Sequence, residues 1–413
     1  MKALDLIQLI FPIMANKSGD VVLVTGGSGF IGQHIIRRLL KDRAELGIKE
    51  VRSVDLNAFK NTIDDEKVDI RTFVGDLCEP DSVSDAFKDV DTVFHCAGMM
   101  SLHYPPKYNE LNRNNVEATQ SVVDLCLKYN VQRLIYTSCG SVCMVPFKGS
   151  SSTVVINQTE SKAATPVYDP KKPEEFDKQF IIRGYSSAKL KAEQLVLNAH
   201  GKTLSNGTGQ LVTTAIRPPL TYGEGDTFFM PDMLRFLSRN SYVYPKIAGA
   251  GGKQQLCYAG NVAWGHMCAY KSLKIAPKSV GGLPVFITDD TPLYDTSRFI
   301  QKIGLVSGKY KARQSSWSIP HFIFYFFAML IELFINVVEP VKKITLKYSI
   351  RTLSSYASSI IFFNRLRASI HMDYAPLIDE ETSIGNSAKW YGKWFEENVG
   401  KAKRNCIEKS KSN

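Results

Sequence analysis

Val21-Val22-Leu23-Val24-Thr25-Gly26-Gly27-Ser28-Gly29-Phe30-Ile31-Gly32 is the stretch whose reading decides the fold. A short β-branched run ends in a glycine-rich turn. From Phe30 to Leu40 the apolar residues then recur at helical spacing, with Arg37 and Arg38 outward. Strand, turn and helix in this order let backbone amides and a helix N-terminus hold a pyrophosphate. Two glycine readings overlap, Gly26/Gly29/Gly32 and Gly27/Gly29/Gly32. The first makes Gly26 a candidate cofactor-binding residue, and both include Gly29, Phe30, Ile31 and Gly32.

Working outward, further strand candidates are Val51 to Asp55, Thr72 to Gly75, Thr92 to Cys96, Arg133 to Ser138 and Leu211 to Arg217, with helix-like stretches between most of them. Alternating βα units with nearly continuous apolar strands imply an α/β fold, a Rossmann-like doubly wound parallel sheet covered on both faces. Asp55 ends the second strand 23 residues after Gly32, where a carboxylate accepts both ribose hydroxyls. That carboxylate favours NAD and repels the extra phosphate of NADP. Gly75-Asp76-Leu77 follows the third strand at the expected adenine edge. His95-Cys96-Ala97-Gly98 follows the fourth, and His95 alone reads as a satisfied turn histidine. After Pro218-Pro219 the pattern loses regularity. The chain therefore divides into an N-terminal extension (1–20), a dinucleotide-binding domain (21–217) and a smaller C-terminal substrate lobe (218–413). Lys148 to Gln179, rich in Ser, Thr, Pro and charge, reads as a long loop that lids a site.

Composition narrows the class. With 413 residues and 44% hydrophobic content the chain builds a large core, which excludes a disordered or fibrous protein. Its eight cysteines form no C-x-x-C pair and no zinc spacing, so they read as free thiols in a reducing compartment, with no metal site. The net charge of +11 gathers late, at Lys342, Lys343, Lys347, Arg351, Arg365 and Arg367 and again in the tail from Lys401. Positive charge beside an apolar run suits anionic lipid headgroups better than nucleic acid. That run, Phe322 to Val338, is interrupted by Glu332 and Asn336. It reads as a monotopic or re-entrant membrane anchor, with a buried helix of the C-terminal lobe as the alternative.

Tyr185-Ser186-Ser187-Ala188-Lys189 carries the chemistry. Residues at i and i+4 share a helix face, so a phenol and an ammonium stand together. A phenol has a reference pKa of about 10, and a neighbouring cation favours its ionised form, which predicts Tyr185 as general acid/base with Lys189 lowering its pKa.

Thr25 to Gly32, Asp76, Asn115-Val116-Glu117-Ala118-Thr119, Tyr136-Thr137-Ser138, Tyr185 to Lys189 and Arg217-Pro218-Pro219 together resemble the extended short-chain dehydrogenase/reductase superfamily. Within it, Tyr222-Gly223-Glu224-Gly225-Asp226, Tyr258 to His266, Ile287 to Pro292 and Tyr374-Ala375-Pro376-Leu377 resemble the 3β-hydroxysteroid dehydrogenase/isomerase family, from about Val21 to Phe395. The resemblance implies NAD as cofactor and NAD-dependent oxidation of the 3β-hydroxyl of a steroid or sterol, with a Δ5 to Δ4 isomerisation as a further step, in steroid hormone biosynthesis. Tyr185, Lys189 and Asn115 become catalytic candidates, and Asp76, Leu77, Ala97, Lys189 and Pro218 join the cofactor-binding set. The family places Ser or Thr where this chain has Cys139, a weaker hydrogen-bond donor. Cys139 is the fourth catalytic candidate, with Ser141 as its substitute because Ser138 points to the opposite strand face. Alternative readings are a sterol 4-carboxylate 3-dehydrogenase, which needs a cation near the substrate carboxylate, and a low-activity NAD- and sterol-binding sensor. Partners implied are the steroid and a membrane lipid surface, and a homodimer is compatible with the family. Lys409 and Lys411 resemble a dilysine retrieval signal, which points to the endoplasmic reticulum membrane with the catalytic domain facing the cytosol, ahead of a mitochondrial membrane.

Overall fold

The structure, a computed structural model, describes residues 19–400 apart from 65, 147–149, 164 and 248–251. The expectations for residues 1–18, for Cys406 and for the basic tail lie outside the described residues. Seven strands, β1 (Asp20–Thr25), β2 (Ile48–Asp55), β3 (Arg71–Val74), β4 (Thr92–His95), β5 (Arg133–Thr137), β6 (Val212–Arg217) and β7 (Pro284–Phe286), form one sheet in the order β3-β2-β1-β4-β5-β6-β7. Each ladder in it is parallel. The order reverses between β1 and β4, and ligands of open α/β sheets bind in the crevice at the carboxyl ends of such strands.

Strand geometry explains why both faces are covered. Successive side chains point to opposite faces, so Val21 and Leu23 of β1 enter one core and Val22 and Val24 the other. Leu134 and Tyr136 of β5 oppose Ile135 in the same way. One core is closed by helices α1 (Phe30–Lys41) and α4 (Ala259–Ile275), through Ile35, Leu39, Ala263 and Met267. The other is closed by α2 (Ala118–Lys128) and α3 (Tyr185–Asn198), through Val122, Cys126, Ala192 and Val196.

Two expectations are corrected. The boundary at Arg217/Pro218 does not divide the sheet, because β7 and α4 lie beyond it and complete one edge and one face. β7 is three residues long and begins with proline, too short to show a period and suited only to an edge. Nor is Lys148 to Gln179 one free loop. Val154–Gln158 is a strand paired with Ile360–Phe363, and Pro173–Lys178 is a helix. Its partner strand lies some 200 residues downstream, a separation no local pattern reveals.

Helices α5 (His321–Val338) and α6 (Ile350–Ser358) follow. By length and composition α5 is long and apolar enough to cross a membrane. Its two interrupting residues bond to the protein, Glu332 buried and Asn336 at the surface. Glu332 accepts the Ser349 hydroxyl at 2.6 Å and pairs with Arg351 at 2.7 Å, and Asn336 accepts from the Tyr104 hydroxyl at 2.9 Å. Its apolar residues face outward, with Phe322, Phe326, Phe327, Leu333, Phe334 and Val337 each at least 51% exposed. A buried lobe helix would show the reverse. The last helix, Glu380–Phe395, packs back on the nucleotide half, where Trp390 donates to the Thr62 carbonyl at 3.0 Å.

A buried ion pair ties α3 to the sheet. Arg217, at the end of β6, donates from Nε to Glu193 of α3 at 2.8 Å, and both side chains are almost fully enclosed. Removing one partner of such a pair strands the other charge in a low-dielectric interior, at a cost of about 3–5 kcal/mol. We expect Arg217→Met to lose stability on that scale in chemical denaturation. The double change Glu193→Leu/Arg217→Met should recover most of it, whereas equal losses would mean that packing, not charge, holds the contact.

Candidate active site

The glycine turn at the end of β1 is built by close approaches. Gly26 has φ +69°, and a Cβ there would sit 2.7 Å from the Ala97 backbone. A Cβ on Gly32 would lie 2.1 Å from the Gly26 carbonyl oxygen, so α1 begins directly against the turn. No side chain caps α1, and its first turn holds no acidic residue, which leaves its N-terminal amides for an anion. The Ser28 hydroxyl is buried with no hydrogen-bond partner beside them. Asp55 closes the cradle by accepting the Ser28 N–H at 3.0 Å and keeps further lone pairs for hydroxyl donors. An uncapped helix start, an orphaned hydroxyl and a carboxylate at the strand end fit the pyrophosphate and ribose of a dinucleotide.

The structure thus brings Gly26, Gly29, Phe30, Ile31, Gly32, Asp55 and Ala97 to the carboxyl ends of β1, β2 and β4. Three other expected contacts also have partners within the protein. Leu77 turns its side chain into the core. Asp76 already accepts from Arg113 at 2.6 Å and from the Cys78 N–H at 2.9 Å, so it braces the loop after β3. The Pro218 carbonyl accepts the Gly140 N–H at 2.7 Å and holds the turn that follows Cys139.

At the other end of the crevice, α3 starts at Gly184, where φ is +72° and a Cβ would approach Pro106 to 2.9 Å. Asp177 fixes that start, accepting from the Gly184 N–H at 2.7 Å, the Ser187 hydroxyl at 2.5 Å and the Tyr108 hydroxyl at 2.8 Å. Tyr185 then packs beside Cys139, and Lys189 donates to the Thr137 carbonyl at 2.7 Å with its ammonium 4.3 Å from the Tyr136 ring centroid. A Cβ on Gly98 would stand 2.7 Å from Asn115 Oδ1 and 4.0 Å from Lys189 Nζ, which gathers both buried groups around Gly98, next to the Ala97 backbone that the glycine turn approaches. Asn115 sits in a π-helical turn, Asn112–Glu117, donating to the Met99 and Leu111 carbonyls and accepting the Met99 N–H at 3.1 Å. The four catalytic candidates therefore converge.

The electrostatics correct one expectation. Burial, with Cys139 and Tyr136 alongside, pushes the Tyr185 phenol well above its ordinary range, and Lys189 does not reverse this. Lys189 is itself drawn down to about 8 by burial, against the opposing pull of Cys139, Cys96 and Glu193. Desolvation disfavours whichever form is charged, so it moves acid and base in opposite directions. His95 falls to about 3 by burial, bonded to Thr25 at 2.7 Å and Thr119 at 2.9 Å, in keeping with a satisfied histidine.

Ser138 donates to Glu193 at 2.6 Å, which turns it toward the helix that carries Tyr185 and corrects the expectation that it points to the opposite face. Ser141 accepts the Ser186 hydroxyl at 2.9 Å and gives its own N–H to Cys139 Sγ at 3.4 Å. Sequence reasoning missed Glu193 and Tyr356. Glu193 is four residues beyond Lys189 on one helix, a spacing that was visible. Tyr356 of α6 packs against the same apolar cluster as Tyr185, and its phenol is pushed up by burial and by Cys139. Nothing local marked it.

A parallel sheet in this order, with a glycine cradle after β1 and a Tyr/Lys helix beside the end of β5, defines the extended short-chain dehydrogenase/reductase class. A sequence profile of the 3-beta hydroxysteroid dehydrogenase/isomerase family matches residues 23–320, and the chain belongs to that family. It is 28% identical over 378 residues to 3 beta-hydroxysteroid dehydrogenase type 7 of Mus musculus, covering 90% of this chain and 95% of the mouse protein. Among solved structures it resembles MoeE5 in complex with UDP-glucuronic acid and NAD, with TM-score 0.62 and 18% identity over 91% of this chain and 100% of that one. It also resembles DesIV, a dTDP-glucose 4,6-dehydratase from Streptomyces venezuelae with NAD bound, with TM-score 0.63 and 15% identity over 92% and 98% of the two chains. Likeness at that level of identity speaks for the fold alone.

Lys189 gives a test with a definite sign. Its folded pKa of about 8 lies below the ordinary lysine value, so above pH 8 the unfolded state binds more protons and the native protein gains stability with rising pH. Thermal midpoints at pH 7 and pH 10 should therefore shift in favour of wild type relative to Lys189→Met as pH rises. A gap that does not change with pH would mean that Lys189 is not desolvated.

Proposed function

We propose that this protein oxidises the 3β-hydroxyl of a steroid or sterol to the 3-ketone with NAD. The convergence of Tyr185, Lys189, Asn115 and Cys139 beside the glycine cradle carries the reading. Bound NAD supplies the hydride acceptor and a positively charged ring. The chain supplies the rest. Burial holds the Tyr185 phenol protonated in the free site; beside the positive charge of a loaded site it would first release that proton to solvent, and the phenolate would then take the hydroxyl proton of the substrate. Lys189 spends one of three N–H bonds on the Thr137 carbonyl and offers the others to ribose hydroxyls. Asn115 holds the Met99 backbone next to Gly98, and Cys139 steadies the substrate oxygen in place of a hydroxyl. A positioned acid/base contributes typically about 10²- to 10⁴-fold in rate. Oxidation acidifies the C4 protons, so a Δ5 to Δ4 shift in the same site needs a second proton carrier. Tyr356, packed near Cys139, is the side chain the fold offers for it.

The outward apolar face of α5, followed by exposed Lys342 and Lys343, supports attachment to an anionic membrane surface. The sequence of the C-terminal tail supports the cytosolic side of the endoplasmic reticulum.

Incubation with NAD and a panel of 3β-hydroxysteroids, neutral and acidic, should form NADH. No turnover of any of them, despite measurable NAD binding, would remove the reading. Tyr185→Phe should abolish NADH formation while NAD affinity stays near that of the parent protein, and Cys139→Ser should raise the rate if the thiol limits catalysis.

Membrane attachment is tested by flotation with phosphatidylcholine/phosphatidylserine vesicles. Phe326→Glu/Phe334→Glu should leave the vesicle fraction with an unchanged thermal midpoint, because both rings are exposed. Retention in that fraction would mean that α5 is not the anchor.

A further inference from the structure

A cavity of about 660 Å³ lies against the loop that leads into Tyr185. Its walls are Leu102 to Pro106, Phe180 to Arg183, the protein-facing side of α5 and the start of α6. That size is in the range of pockets for drug-sized ligands. Leu102, Phe180 and Ile182 give it apolar surface that also belongs to the cluster against which Tyr185 packs. Its charge is one-sided. Lys178, Arg183 and Arg351 line it, and no Asp or Glu does among the described residues.

Arg183 is the unusual member. It is half-buried two residues before Tyr185, yet its guanidinium makes no ion pair and no hydrogen bond among the described residues. The carboxylate close at hand, Asp177, is already taken by Tyr108, Ser187 and the Gly184 amide. Arg351 spends its Nε on Glu332 and keeps its terminal nitrogens. A planar fork of donors left without a partner in a partly apolar cavity is matched by an oxyanion, above all a carboxylate held by two parallel bonds.

We infer that this cavity binds an acidic steroid, with Arg183 as the specificity-determining residue that holds its carboxylate and Arg351 in support. The inference rests on the dehydrogenase reading and narrows its substrate class. The same oxyanion chemistry is carried by phospholipid headgroups, so the test separates the two sources.

Binding is measured by titration calorimetry on the full chain with NAD present. The probes are two 3β-hydroxy-Δ5-steroids, one with a carboxyl group on ring A and one with it at the end of the side chain, each compared with its methyl ester. At least one acid should bind more tightly than its ester. Arg183→Gln should reduce that acid-to-ester ratio by about tenfold to a hundredfold, the range for a charge-assisted hydrogen bond, and Arg183→Lys should restore part of it. No preference for either acid, or a preference that survives in Arg183→Gln, overturns the assignment. Loss of binding to phosphatidylserine vesicles in Arg183→Gln with the ratio intact would assign the arginine to lipid and also overturn it. NADH formation from a neutral 3β-hydroxysteroid reports on the dehydrogenase reading separately, because it does not depend on the acid-to-ester ratio.

Discussion

The Glu193–Arg217 pair is the contact on which the site's geometry depends. Glu193 belongs to the helix that carries Tyr185 and Lys189, and Arg217 ends β6. The carboxylate also takes the Ser138 hydroxyl, which fixes the residue next to Cys139, and the guanidinium lies 5.6 Å from the Phe286 ring centroid on β7. One enclosed charge pair therefore sets the distance between α3 and the ends of three strands. A buried pair of this kind is weak evidence for net stability, since desolvation consumes most of the Coulomb attraction. Its direction and hydrogen-bond count give it a different value, because an apolar substitute would hold α3 near the sheet without specifying its register.

Around that frame the interior is kept electrically quiet. Burial drives Tyr185 up, Lys189 to about 8, His95 to about 3 and His266 to about 4, all toward their neutral forms. His266 is further fixed by the Val262 carbonyl at 2.8 Å and the Thr137 hydroxyl at 2.8 Å. Desolvation of these groups disfavours their charged forms, so a cation bound beside Tyr185 would act on its phenol with little screening by water.

Much of this was legible in the sequence, for reasons that differ by element. The turn from Gly26 to Gly32 and the central strands β1, β4, β5 and β6 announce themselves through runs of buried residues, because both sheet faces are covered there. The placement of Tyr185 and Lys189 on one helix followed from spacing, whereas the direction of Ser138 did not follow from strand alternation, because it lies past the end of β5 and bonds to Glu193. What failed was long-range or environmental. β7 is too short to carry a period, Val154–Gln158 depends on a partner far downstream, and the pKa of Tyr185 is set by water excluded from many directions at once. For α5 the composition was plain, but only the fold shows that Glu332 turns inward.

The pairing of Val154–Gln158 with Ile360–Phe363 has a consequence for biosynthesis. Strands so far apart in the chain close a large loop, and such contacts form late because loop entropy must be overcome first. During translation the nucleotide-binding sheet can assemble once Phe286 has emerged, whereas the small sheet must wait for Phe363. Between those two moments α5 is synthesised with its apolar face open and before Ser349 and Arg351 exist to engage Glu332. The nascent chain thus passes through an interval in which a nearly finished sheet trails an uncovered greasy helix, and a bilayer or a chaperone is the natural surface to receive it.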